Sequence, residues 1–382
     1  MESSSFWRRH QSSLEGIINF HDPQPLPADQ RHHAQRRFYK IVNNFDDGNR
    51  TSGYKRSLLV RYTYEYSRSE LSKDTFLRAF FEFMEVDFVG EGDRDFDDQA
   101  QVGRKLAEFA DFLLDNFYLP MKATSKNTLQ PTPAHLSVVQ RVQGRLHEFT
   151  GTLERLSFLR GLCLVRDRHR CVISRAFDKQ EAVNRLNLHG DNAQDDEGKL
   201  LRPPFAFLEV AHILPHSLTQ ADANSELSDS KKAALMILNM FDCDVSHLVD
   251  GINIDRPSNA ISLTHEFHRD FGNFDVYFEP VADQEHTYQI KSFLPSLALE
   301  GIPVTRTLYL ADDQSIDPPL PRLLAIHNAI AHILHLSGAG EYIDKILRDM
   351  EETGVQRDGS TNLGRIVKLK LAGWLNDAVD AH

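Results

Sequence analysis

One stretch, residues 205–280, constrains the fold more than any other part of the chain, because it combines two β-prone runs with a histidine-bearing helical segment. In the first run, FAFLEVAH, strand alternation places Leu208 and His212 on one face and Glu209 on the other. Pro215 ends this strand, since proline cannot donate a hydrogen bond to a strand ladder. The stretch therefore predicts a strand that carries His212 at its end.

The second half of this stretch, SNAISLTHEFHRDFG, predicts another strand followed at once by a helix. Asn259 precedes a β-prone run over residues 260–263, and Thr264 is a residue type favoured at helix N-caps. Two phenylalanines at helical spacing form a buried stripe, which leaves His268 on another face. The predicted order is strand, long connection, strand and helix, and it contains His212, Asn259 and His268.

The composition indicates a folded globular protein without a broad basic surface. With 382 residues, 41% hydrophobic content and 24 phenylalanines, the chain can form two or three domains that each bury a core. A net charge of −12 means that a nucleic-acid partner would have to bind a local basic surface. The 3 cysteines form no CxxC pair, and no segment has the character of a signal peptide or a membrane span, so we expect an intracellular protein, nuclear or cytoplasmic.

Helical patterns flank the central stretch on both sides. We expect a helical N-terminal region at 1–155, a central core at 156–290 and a C-terminal extension of strands and helices at 291–382 that packs on the core. The predicted helices cover residues 27–44, 55–66, 71–85, 98–117, 135–164, 229–241, 321–336, 342–351 and 362–379. The N-terminal helices are typical of a packing or interaction module without chemistry of its own.

The run LVRDRHRCVISRAF holds the densest group of basic residues in this acidic chain. Four arginines surround a short strand-like piece at 171–174, namely Arg166, Arg168, Arg170 and Arg175. They are candidates for contacts with nucleic-acid phosphates, and pairing with nearby acids on a solvated face is an equally good interpretation. Residues 178–202, which follow, are charged and rich in Asn and Gly, and we expect a surface loop there.

Four sequence blocks resemble the core of the HNH endonuclease domain, in particular the subgroup found in fungi. The blocks are CVI at 171–173, AHILP at 211–215, IDRPSNAISL at 254–263 and HRDFG at 268–272. His268 follows Asn259 by nine positions, an interval usual in these domains. The resemblance implies an α+β protein whose central ββα-metal core lies between a helical N-terminal region and a mainly helical extension.

The resemblance also implies an activity, the hydrolysis of phosphodiester bonds in nucleic acid, with DNA expected rather than RNA. His212 matches the general base, Asn259 matches the structural asparagine that ties down the loop between the second strand and the helix, and His268 matches the metal ligand on the helix. One divalent cation would be bound, Mg²⁺ first, with Mn²⁺ and Zn²⁺ as alternatives. These three residues form the predicted catalytic set.

The sequence departs from the family pattern at two positions where many of its members carry metal ligands. Ala211 precedes the base histidine, and Gly272 lies one turn beyond the helix histidine. Glu209 lies on the same strand face as Ala211 and is the second predicted ligand beside His268. His265, His216 and Asp270 are further candidates. No CxxC pair is present, so no structural zinc is expected. The alternative function is a catalytically silent HNH fold that binds nucleic acid or protein.

Overall fold

The computed structural model describes most of the chain in nine segments. They are residues 25–45, 53–86, 99–125, 152–220, 227–297, 299, 301–311, 315–351 and 362–375. The chain divides into two compact units, which are described separately. We call them the helical unit (Met1–Pro120, Gln220–His247 and His332–Asn376) and the mixed unit (Met121–Thr219, Leu248–Ala331 and Asp377–His382).

The helical unit consists of amphipathic helices around a phenylalanine-rich core. Its helices are Ala28–Asn44, Arg56–Glu65, Glu70–Met84, Gln99–Leu113, Asp229–Phe241, Ala339–Glu351 and Leu363–Leu371, with a π-helical turn at Leu114–Tyr118. Phe38 packs edge-on against Phe76 and Phe80, and all three are fully buried. Every one of these helices was predicted from periodicity, and most of the predicted ends fall within a few residues of the observed ones. The predicted segments at 135–151 and 376–379 lie outside the described residues.

The described residues of the mixed unit combine helices with three small sheets. Its helices are Thr152–Arg166, Lys179–His189, His265–Gly272 and the first part of Pro321–Ser337, and its strands are Phe177–Asp178, Phe205–Ala206, Leu208–His212, Ala260–Thr264, Val276–Pro280, Thr287–Ser292 and Val304–Thr307. The last three strands form an antiparallel sheet in chain order. The predicted mixture of helices and small sheets is confirmed. Within the described segments, no helix is both long enough and apolar enough to span a membrane.

Two strands and one helix of the mixed unit carry the predicted site residues. The site strands, Leu208–His212 and Ala260–Thr264, pair antiparallel, with His212 opposite Ala260. The site helix, His265–Gly272, follows directly, and its N-cap hydroxyl at Thr264 accepts a hydrogen bond from the Phe267 N–H, as predicted. The observed order is therefore strand, connection, strand and helix, as expected from the sequence.

Three local predictions in this unit are wrong. The predicted loop at 178–202 contains the helix Lys179–His189, because Asp178 caps the Glu181 N–H and Glu181 pairs with Arg185 one turn later. The predicted strand piece at 171–174 is a turn. The run at 205–212 also breaks at Phe207, which is 59% exposed, so that it forms two short strands in different sheets.

The helix Thr152–Arg166, which we call the arginine helix, is fixed to both site strands. Leu159 and Cys163 lie one turn apart on one helix face and form a buried cluster with Val210 and Ala260. Leu159 and Cys163 thus bridge the helix to the first site strand through Val210 and to the second through Ala260. The helix therefore packs against both strands that carry site residues.

Arg166 and Asp167, at the end of this helix, form a fully buried ion pair at 2.8 Å. The guanidinium also donates to the carbonyls of Pro257 and Ala260, at 2.6 and 2.8 Å. The Asp167 carboxylate accepts from the Ser262 N–H at 3.0 Å. Since both charges are saturated by hydrogen bonds, the pair anchors the second site strand.

We expect Arg166→Ala to lower the free energy of unfolding by roughly 3–5 kcal/mol, because it leaves a buried carboxylate without its cation. Arg168→Ala is the matched control, since Arg168 forms a partly exposed pair with Glu197 that is worth at most about 1 kcal/mol. Urea unfolding followed by circular dichroism measures both. Equal midpoints for the two variants would contradict the anchoring role.

Candidate active site

His212 ends the first site strand, and its side chain is buried, with 1% exposure. Its Nε2 lies 3.1 Å from Oδ1 of Asp255, while its Nδ1 is buried without a hydrogen-bond partner among the described residues. Burial lowers the pKa of His212, and the hydrogen bond to Asp255 opposes this only in part. The imidazole is therefore neutral at neutral pH, with one nitrogen held by Asp255 and the other without a partner among the described residues.

Asp255 connects several polar side chains of the site. Its Oδ1 also lies 2.7 Å from Nδ1 of His216, and its Oδ2 accepts from Nε of Arg155 at 3.2 Å. Burial alone would raise the pKa of Asp255, but hydrogen bonds from the two imidazoles outweigh it and hold the pKa well below its usual value. Asp255 is thus an ionised carboxylate, and the facing nitrogens of His212 and His216 carry the protons.

Glu209 forms a second arrangement of this kind with the site helix. Its Oε2 lies 2.6 Å from Nδ1 of the buried His268, and its Oε1 lies 2.9 Å from Nδ1 of His265, which is 75% exposed. The hydrogen bond from His268 is the largest cause that lowers the pKa of Glu209, to about 2. Nε2 of His268 is buried without a partner among the described residues. Each of the two predicted histidines is therefore held by a carboxylate through one ring nitrogen.

The two histidines lie on elements that contact each other. The first site strand contacts the site helix, and a positive charge on His268 would help to lower the pKa of His212. Of the further candidates, His216 joins the site through Asp255 and His265 through Glu209. Asp270, by contrast, lies 3.6 Å from Arg269, and no described contact links it to these histidines.

Asn259 fixes the backbone on both sides of the His212–Asp255 pair. Its side chain accepts from the Leu214 N–H and donates to the Leu214 carbonyl, both at 3.0 Å, and it donates to the Ile254 carbonyl at 2.9 Å. Leu214 lies two residues after His212, and Ile254 directly precedes Asp255. The fully buried amide thus connects the segment after the first site strand to the segment that precedes the second, not the strand–helix loop that we expected.

Two groups of atoms in the site are suited to a metal ion. The ligand atoms of His212, His216 and Asp255 all lie within 4.8 Å of one another. The second candidate is Nε2 of His268, which has no partner among the described residues. Glu209 holds the Nδ1 of the same ring, an arrangement that metal-binding histidines commonly show. The predicted ligands His268 and Glu209 are therefore adjacent, although both oxygens of Glu209 already accept from imidazoles.

The four arginines of the predicted basic patch do not form one exposed surface. Arg166 is buried in the ion pair described above, so we propose no phosphate contact for it. Arg168 and Arg170 pair with Glu197 and Asp195, at 3.1 and 2.7 Å. Arg175 stacks on Tyr309 at 4.2 Å and donates to the Thr307 carbonyl. For Arg168 and Arg170, pairing with acids is the interpretation that the contacts favour.

Two residues of the site were not predicted, namely Asp255 and Arg155. Asp255 lies four positions before Asn259, inside a block already recognised, and a carboxylate near a base histidine is a signal that could have found it. Arg155 comes from a helix 57 positions before His212 in the sequence, and no local pattern indicates its contact. The resemblance therefore pointed to the two histidines, and the sequence analysis named Glu209, but neither indicated the charged groups beside His212.

We expect Asn259→Ala to lower the free energy of unfolding by at least roughly 1–3 kcal/mol, because it leaves buried backbone groups at Leu214 and Ile254 without partners. The exposed Asn192 is the control, and Asn192→Ala should change stability by no more than about 0.5 kcal/mol. Urea unfolding of both variants measures this. Equal stability of the two variants would show that the amide does not fix these segments.

The comparisons with known proteins bear on the central part of the chain. Residues 171–279 match the family model described as HNH endonuclease. Neither the curated proteins nor the solved structures gave a match to the chain. The matched region contains His212, Asp255, Asn259 and His268, whereas Arg155 and Arg166 precede it. Residues 171–279 are thus similar to the HNH endonuclease domain, and this similarity suggests a nuclease activity.

Proposed function

We propose that this protein is a metal-dependent endonuclease that hydrolyses phosphodiester bonds in DNA. The observation that carries the proposal is the pair of buried imidazoles, His212 and His268, each held by a carboxylate through one nitrogen and each with the other nitrogen unpartnered among the described residues. We further propose, from the four sequence blocks alone, that the domain belongs to the subgroup of HNH domains found in fungi.

In this proposal His212 is the general base. Asp255 accepts the proton of Nε2, which leaves Nδ1 as the unprotonated nitrogen that can take a proton from an attacking water. The lowered pKa of His212 keeps the ring neutral at physiological pH, as a base requires. Asn259 holds the backbone next to both members of this pair, so the base is aimed by the fold.

In the same proposal His268 is the ligand of a divalent cation. Glu209 accepts the proton of Nδ1 and so directs Nε2 toward the ion, which makes Glu209 a support for the ligand more than a ligand itself. When bound, such an ion polarises a phosphate oxygen and stabilises charge on the leaving oxygen. An imidazole ligand favours Zn²⁺ over Mg²⁺, the ion that the resemblance suggested first.

A second position for the ion rests on the cluster of His212, His216 and Asp255. Three protein ligands are the usual number in catalytic zinc sites, and this cluster offers three. The two positions assign incompatible roles to His212, because Nε2 cannot both donate to Asp255 and bind the ion. Metal binding by single variants therefore distinguishes them.

The second candidate function is a silent HNH fold that binds a macromolecule without cleaving it. The net charge of −12, the pairing of Arg168 and Arg170 with acids, and Ala211 at a usual ligand position favour this candidate. It predicts that no metal ion supports cleavage. Plasmid cleavage separates the two functions.

We expect the protein to nick supercoiled plasmid in the presence of Mn²⁺, Mg²⁺ or Zn²⁺, and His212→Ala to lower the rate at least about 100-fold, since a positioned general base contributes roughly 10²–10⁴. Agarose gels of a time course measure this. His189→Ala is the control, because His189 is exposed at the end of its helix in the same unit. Intact plasmid in every metal, with fully folded protein, would instead support the binding function.

We expect His268→Ala to abolish Mn²⁺ binding in isothermal titration calorimetry, because it removes the one imidazole nitrogen assigned to the ion. His216→Ala should retain binding within about twofold. The opposite result, with binding lost in His216→Ala and kept in His268→Ala, would place the ion on the His212–His216–Asp255 cluster. The two variants are matched in type, since each removes a buried or nearly buried imidazole held by one carboxylate.

A further inference from the structure

The arginine helix contacts the segment that carries Asp255 along one face. Arg155, Leu159 and Cys163 follow one another at intervals of four residues, which places them on the same side of the helix. Leu159 and Cys163 pack in the cluster with Ala260. Arg155 contacts Asp255, which lies five residues before Ala260 in the chain. At the other end of the helix, Arg166 holds the carbonyls of Pro257 and Ala260.

Arg155 and the two imidazoles bind different oxygens of Asp255. Nε of Arg155 donates to Oδ2, whereas His212 and His216 donate to Oδ1. A carboxylate held only at Oδ1 could rotate about its Cβ–Cγ bond and exchange its oxygens. A guanidinium at Oδ2, attached to a packed helix, opposes that rotation.

We propose that Arg155 is a positioning residue of the site, which fixes the Asp255 carboxylate so that Oδ1 holds Nε2 of His212. This inference rests on the proposed function, in which His212 is the base. It extends the site beyond the region that matches the family, because Arg155 precedes residue 171. The arginine acts on the base through Asp255.

A purely structural role for Arg155 makes a different prediction. In that case its loss would lower stability and would reduce activity only in proportion to the folded fraction. A positioning role instead changes the tautomer of His212 and the turnover number of folded enzyme. The decisive measurement must therefore report on the His212 ring itself.

The test uses the full chain labelled with [¹⁵N]histidine, and compares wild type, Arg155→Ala and Arg155→Lys. Long-range ¹H–¹⁵N spectra, with His212 assigned through His212→Gln, should show a single Nε2–H tautomer in wild type and a mixture in Arg155→Ala. On plasmid, kcat of Arg155→Ala should fall roughly tenfold, as outer partners of active-site histidines typically do. KM and the Mn²⁺ dissociation constant should change less than about twofold. Lysine should restore part of kcat, because it keeps the charge but not the fork of donors.

Arg185→Ala is the matched control, since Arg185 is also a partly buried arginine of this unit and pairs with Glu181 and Asp196. A single unchanged tautomer in Arg155→Ala, an equal fall of kcat in Arg185→Ala, or loss of Mn²⁺ binding in Arg155→Ala would overturn the inference. Absence of cleavage by wild type would overturn the proposed function, and the His212 tautomer would still decide whether Arg155 positions the ring.

Discussion

The candidate site depends on the hydrogen bonds that hold the buried Asp255 carboxylate. The carboxylate is almost fully buried, with 2% exposure, and an unpaired carboxylate would not remain ionised in such a place. Three donors from three parts of the chain, Arg155, His212 and His216, keep it charged. The two oxygens of this carboxylate thereby link the arginine helix, the end of the first site strand and the turn after that strand.

The need to pair buried polar groups explains why hydrogen bonds and ion pairs, as well as apolar packing, hold the residues around the site. The Asn259 side chain satisfies backbone hydrogen-bonding groups of Leu214 and Ile254. The Arg166–Asp167 pair satisfies backbone groups of the second site strand. Buried polar groups are costly unless every donor and acceptor is satisfied. In this unit the satisfied networks lie next to the two imidazoles whose remaining nitrogens have no described partner.

Much of the fold around the site could be predicted from local sequence. Strand alternation before Pro215 and the Thr264 cap predicted the order of elements, and the resemblance to the HNH domain pointed to His212, Asn259 and His268. The helix Lys179–His189 was missed because Asn and Gly in the second half of 178–202 outweighed the Asp178 cap. Pairing between distant residues, such as Arg155 with Asp255 across 100 positions, leaves no periodic signal in one sequence.

The two carboxylates also limit where a cation can bind. A neutral imidazole has one N–H and one acceptor nitrogen. When a carboxylate accepts the hydrogen bond of the N–H, only the other nitrogen can bind a metal ion or accept a proton. At His268 that nitrogen is Nε2, which suits a metal ligand held from behind by Glu209. At His212 that nitrogen is Nδ1. Arg155, the third donor to Asp255, carries a positive charge that would repel a cation bound at this carboxylate. Electrostatics therefore supports the proposal that His268 binds the ion and that His212 is the base.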